Sequence, residues 1–303
     1  MTARRQSGFT LIELLVVIAI IAVLAALGAG AYFKIRGSQQ EKLTGDTVVK
    51  LQKALLQQWT AALDNANGDA KKGAIPDIVK AYCQNDPDRA AAVWGYLNLR
   101  KNFPESVAEA RSAVTLPAVP PAFPTATVIF PASQVFLDRI PAAAATLNAN
   151  EQSAVCLYVA IVELNRRGME SGITDNMTML WPTTAASPSN QYKVFSDTFG
   201  QPIAFRRFLA TSEMQAKPFS NQPLGRRDPL DPLGKLASLP TNPVNLRGAL
   251  QTAVGGSRTF DGTNFIPTVF SLGVNRKLDF AGTEPVGDDI LGYKLTAEQR
   301  QGN

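Results

Sequence analysis

Glu13 is the residue whose surroundings most demand chemistry: a single acid in Thr10-Leu11-Ile12-Glu13-Leu14-Leu15-Val16-Val17. A carboxylate left unpaired among apolar groups is strongly disfavoured. Glu13 must therefore lie at an interface, carry a proton or meet a cation, and spacing alone leaves all three open. The chain has no histidine, which removes serine-histidine, cysteine-histidine and histidine-zinc arrangements together. Cys83 and Cys156 stand far apart, outside any C-x-x-C spacing. Paired in an oxidising compartment they would close a long loop, worth about 3–5 kcal/mol. Unpaired, they would be two small buried hydrophobes. Arg226-Arg227-Asp228, and Glu163 with Arg166 and Arg167, read as surface or helix-flank charge. No glycine-rich phosphate cradle precedes a helix. The 30 basic and 25 acidic residues are interspersed, so no nucleic-acid partner is expected. These residues point away from an enzyme.

The elements around Glu13 are unusually legible. Leu14 to Phe33 is twenty residues without a charge. As a helix rising 1.5 Å per residue it would span about 30 Å, the thickness of a bilayer's hydrocarbon core, so a transmembrane segment is expected at 14–33. Ala29-Gly30-Ala31 has the small-x-small form of a signal cleavage site. The apolar run, however, exceeds the roughly 7–15 residues of a signal peptide, and Glu13 interrupts its start. Gly28 and Gly30 weaken a helix by about 1 kcal/mol each, and small residues at 25–31 equally suit close packing between helices. Leu43, Thr47, Leu51, Leu55, Gln58 or Trp59, and Ala62 recur every three or four positions, which continues the helix as an amphipathic one. It is expected to stop near Asn65-Ala66-Asn67-Gly68.

Residues 68–190 read as mostly helical. Asp86-Pro87 opens one helix, Phe103-Pro104-Glu105 a shorter one, and residues 151–167 form another capped by Asn150. Residues 116–124, LPAVPPAFP, are too proline-rich for either a helix interior or a central strand. After about residue 190 the texture changes to YKVFSD, PIAFRRFL, NFIPTVFSLGV and ILGYKL. These are short apolar or alternating runs separated by Gly, Asn, Asp and Pro, as in antiparallel strands.

Gly8-Phe9-Thr10-Leu11-Ile12-Glu13 followed by LLVVIAIIAVLAAL resembles the N-terminus of type IV pilins and type II secretion pseudopilins. The resemblance implies a prepilin leader, 1–8, cut between Gly8 and Phe9 by a prepilin peptidase, with methylation of the new N-terminus. It also gives Glu13 an assembly role, meeting the N-terminal amine of a neighbouring subunit. A carboxylate opposite an ammonium group in a dry bundle resolves two desolvation problems together and penalises the wrong register. Asp197-Thr198-Phe199-Gly200-Gln201-Pro202 and Ser271-Leu272-Gly273 with Gly287-Asp288-Asp289-Ile290 resemble the closing half of the major pseudopilin. There an acidic loop binds calcium, which implies Asp279, Asp288 and Asp289 as donors here, with carbonyls near Leu272. Calcium needs six to eight oxygens, and Arg276 and Lys277 inside the loop favour the other reading, a solvated turn capped by aspartates.

The expected fold is α+β and pilin-like. A spine helix at 9–67, membrane-spanning in its first half, packs on a C-terminal antiparallel sheet at 191–303, with the helical region 68–190 inserted between them. The function implied is a structural subunit of a type II secretion pseudopilus that assists protein export. Its partners would be copies of itself, other pseudopilins, the peptidase and an inner-membrane assembly platform. It would pass the inner membrane once, N-terminus cytoplasmic and head periplasmic. The alternatives are a surface or competence pilus subunit, or a tethered binding or enzymatic domain with a pilin-type leader.

Overall fold

The computed structural model describes residues 11–164, 173, 175–182, 191–241, 245–255, 258–273, 275, 280–281, 284–285 and 288–301. Of these, the side chains at 13, 28, 30, 31, 33, 175, 280, 281, 284, 285 and 298–301 stand outside the description. Gly8, Phe9 and Asp279, the Glu13 side chain, and the Arg166 and Arg167 expected to end a helix therefore lie outside it. The chain divides into two compact units, residues 1–43 and 44–303. Helix α1, Leu11–Lys71, contributes to both.

In the first unit α1 is apolar on every side from Leu14 to Leu27. Leu11 is 88% exposed, and the large side chains from there to Leu27 are all at least 45% exposed. Among the described residues no helix is long and apolar enough to cross a membrane. This overturns the transmembrane segment expected at 14–33, the membrane-spanning half of the expected fold, and the single-pass inner-membrane placement drawn from it.

The second unit holds the core. Along α1, Val48, Leu51, Leu55, Trp59, Ala62 and Ala66 recur at helical spacing and are all buried. Leu43 faces outward at 57% exposure, contrary to the expected stripe. The inward face starts one position later than expected, with Thr44 and Val48, both fully buried, and from Leu51 to Ala62 it follows the expected stripe. The helix passes through Asn65 and Gly68 to Lys71. Gly73, at φ 71°, supplies the left-handed turn that ends it.

Short elements follow: α2, Asp77–Tyr82; α3, Pro87–Asn102; α4, Val107–Arg111; β1, Val114–Leu116; β2, Thr127–Phe130; α5, Gln134–Arg139; and α6, Ala149–Tyr158. The Asp86 side chain accepts from the Asp88 and Arg89 amides, and Pro87 opens α3, as expected. Helix α6 starts earlier than expected, because Asn148 and Glu151 form a reciprocal capping box, so that Asn150 is not the cap. Its continuation, Val159–Glu163, is a π-helix closed by the Leu164 amide donating to the Val159 carbonyl at 3.1 Å.

The remaining elements are β3, Thr178–Trp181; β4, Tyr192–Phe195; β5, Ala204–Leu209; α7, Leu246–Val254; β6, Ile266–Ser271; β7, Phe280–Ala281; β8, Glu284–Pro285; β9, Ile290–Leu291; and α8, Gly292–Gln301. Strands β5, β6 and β9 form an antiparallel sheet in that order. Pairs β1–β2, β3–β4 and β7–β8 are separate. Past Leu291 the chain turns helical where ILGYKL was expected to stay extended. Lys294, Leu295, Ala297, Glu298, Gln299 and Arg300 are helix formers that β9, at two residues, does not recruit.

The second half of α1 packs against this C-terminal sheet. Trp59 lies with ring centroids 5.2 Å from Phe103, 6.2 Å from Phe208 and 6.4 Å from Phe265. The Gln52 side chain donates to the Pro267 carbonyl at 2.7 Å and accepts from the Val269 amide at 2.8 Å.

Candidate assembly site

Two features could serve assembly. The first is the apolar run of α1 in residues 1–43, whose large apolar side chains from Leu11 to Leu27 are exposed among the described residues. A helix that is apolar all round belongs inside a larger packing. Each such side chain gains about 1.5–3 kcal/mol when fully covered. Glu13 sits within the helical backbone of this run.

The second lies in residues 44–303, where the motif residues of the chain's second half draw together. Asp197, buried to 7% exposure, accepts through one carboxylate oxygen from the Phe199 and Gln201 amides at 2.9 and 2.8 Å. Its other oxygen accepts from the buried Ser271 hydroxyl at 2.6 Å. That hydroxyl in turn accepts from the Gly273 amide at 3.2 Å. The neighbouring Thr198 hydroxyl shares a hydrogen bond of 2.7 Å with Thr44 on α1, and the Thr198 amide donates to Thr44 Oγ1 at 3.2 Å. One carboxylate thus ties the 197–201 turn to the end of β6, and the adjacent threonine ties that turn to the spine. The arrangement is a fastening of turn, strand and spine.

Gly273 closes the fastening on its far side. It holds φ 62°, and a Cβ there would collide with the Asp288 carbonyl and carboxylate. The Asp288 carboxylate also accepts from the Asn275 amide at 3.0 Å. It caps a turn with an oxygen that calcium would need. Among the described residues no three Asp, Glu, His or Cys side chains gather to hold a metal ion. Asp288 and Asp289 alone supply fewer than calcium's six to eight oxygens, and Asp279, the third donor of the expected set, lies outside the described residues.

Cys83 and Cys156 are both free thiols, buried in the core, so the possible disulfide is absent. Burial pushes the Cys83 thiol up to about 12 and raises that of Cys156 as well. Neither is a nucleophile near neutral pH.

Two buried charge clusters escaped the sequence reading. Asp228, expected at the surface, is buried with Arg258, whose Nη2 lies 2.6 Å from its carboxylate. The Tyr96 hydroxyl donates to the same carboxylate and accepts from Arg258 Nε at 3.0 Å. Burial, followed by the Asp228 charge, holds the Tyr96 hydroxyl well above its ordinary range. Arg207, fully buried on β5, makes a two-point contact with Glu109 at 3.0 and 3.1 Å. Burial raises the Glu109 carboxyl, but the Arg207 charge and hydrogen bonds, helped by the Glu105 amide and Arg100, outweigh it and hold the group below its ordinary value. Glu163 pairs with Arg139 at 3.2 Å. Runs such as RRD carry no mark of which charge turns inward, because the partner is far away in sequence.

No curated protein and no solved structure matches this chain. Residues 3–29 match the prokaryotic N-terminal methylation motif, and the chain thus carries at its head a motif of the pilin-like superfamily.

Proposed function

We propose that this chain is a structural subunit of a pilin-type filament, and that the filament is a secretion pseudopilus assisting protein export. The observation that carries the reading is the apolar run inside the methylation motif, outward-facing at every large position from Leu11 to Leu27. Like segments of neighbouring copies cover it. Glu13 sets the register by meeting the amine left when a peptidase cuts between Gly8 and Phe9. The secretion assignment is supported by the D-x-F-G-x-P and serine-glycine segments, joined here through Asp197 and Ser271.

The test has two arms. Intact-mass analysis of the purified chain reads a start at Phe9 with one added methyl group, and electron microscopy finds filaments that Glu13→Ala shortens or abolishes. A chain that starts near residue 32, or filaments indifferent to Glu13→Ala, would overturn the subunit reading. Loss of the gene product with export undiminished would overturn the secretion role alone.

A further inference from the structure

A groove of about 340 Å³ opens in the second unit between the end of α5, the π-helical segment and the start of β4. Its floor is apolar: Val155 and Val159 line it, each 2% exposed, beside the rings of Tyr158 and Tyr192. Its rim is charged unevenly. Glu163 is engaged by Arg139 at 3.2 Å, whereas Lys193 is exposed and meets no carboxylate among the described residues. The tyrosine hydroxyls likewise have no hydrogen-bond partner among the described residues. Among the described residues the groove therefore presents the Lys193 ammonium and two tyrosine hydroxyls above an apolar bed. One wall is the π-helix Val159–Glu163, an irregularity that recurs at functional sites because it re-aims side chains at some loss of regular bonding.

We propose that this groove is a docking site for a short peptide segment of a partner protein, in which an apolar side chain lies beside a carboxylate. The apolar side chain fills the space over Val155 and Val159, and the carboxylate takes the Lys193 ammonium. The volume holds about two or three side chains, at the small end of ligand pockets. Charge complementarity selects an acid, because Glu163, the negative group of the rim among the described residues, is already neutralised by Arg139. A base would find no unpaired carboxylate among the described lining residues and would meet the Lys193 charge.

The probe is a capped phenylalanine-glutamate-leucine tripeptide carrying a fluorophore, titrated by anisotropy into the full chain. Saturable binding is expected. Replacing the peptide's glutamate by glutamine, or Lys193→Glu in the protein, weakens it about tenfold, the equivalent of one charge-assisted hydrogen bond. Lys193→Arg keeps it. Lys193 is exposed, so its substitution leaves thermal unfolding unchanged, and a melting curve checks this. No saturable binding, or binding indifferent to both the glutamine peptide and Lys193→Glu, overturns the proposal. Equal binding of a wholly acidic peptide without apolar side chains also overturns it, because that would be attraction to surface charge alone.

Discussion

Glu109 and Arg207 give the clearest consequence of burying a charge. Arg207 is 0% exposed and has no water to fall back on if its carboxylate is removed. Glu109→Gln is expected to destabilise the second unit by about 3–5 kcal/mol at neutral pH, measured by urea unfolding. The pH dependence follows from the direction of the shift. The folded-state carboxyl lies below its ordinary value of 4.5, so its contribution is fully present above that value and is lost as pH falls through the lower, folded one. The gap between the native chain and Glu109→Gln should narrow steadily below about pH 4.5; a gap that stays constant to pH 3 would show that the carboxylate's charge is not what matters. Tyr96→Phe removes the hydroxyl shared by Asp228 and Arg258 and is expected to lose about 1–3 kcal/mol in the same assay. None of these partners was legible in the sequence, since Glu109 and Arg207 are brought together by tertiary packing. Asp197 stood out in the sequence only as part of a resembling segment, although its cap is local and acts on amides two and four residues away.

Local spacing made the elements legible and tertiary competition moved their edges. The α1 stripe, the Asp86 cap and the strand run AFRRFL all rest on neighbours a few residues apart. The start of α6 shifted because two asparagines compete to cap it, and Asn148 wins by having Glu151 at the third helical position. Strand β9 stayed short because only Ile290 and Leu291 find partners on β6. That short pairing gives Gln52 its purpose. The edge of β6 at Pro267 and Val269 extends past β9, and the Gln52 amide stands in for a strand by donating to one residue and accepting from the other. Gln52→Leu, similar in volume, leaves a buried carbonyl and a buried amide unpaired, at about 1–3 kcal/mol each. Hydrogen exchange at the Val269 amide should accelerate more than the global loss of stability explains. Exchange that merely follows global unfolding would mean that the helix and sheet are held by packing alone.

At the scale of the molecule, the buried core and the exposed apolar run belong to different parts of the chain. Every residue of the described core lies between Val48 and Tyr293, inside the second unit. The exposed apolar run lies wholly inside the first. A chain lacking residues 1–43 should therefore fold, melt cooperatively within a few degrees of the full chain and run as a monomer. The full chain with Val17→Lys and Ile21→Lys should melt like the parent and yet form no filaments. The two positions are four apart on one helical face, and covering that face would then bury two ammonium groups without partners. If the shortened chain is unfolded, residues 1–43 are part of the fold after all. If the double lysine chain still assembles, the apolar run is not the surface on which copies meet, and the heads must carry the contact.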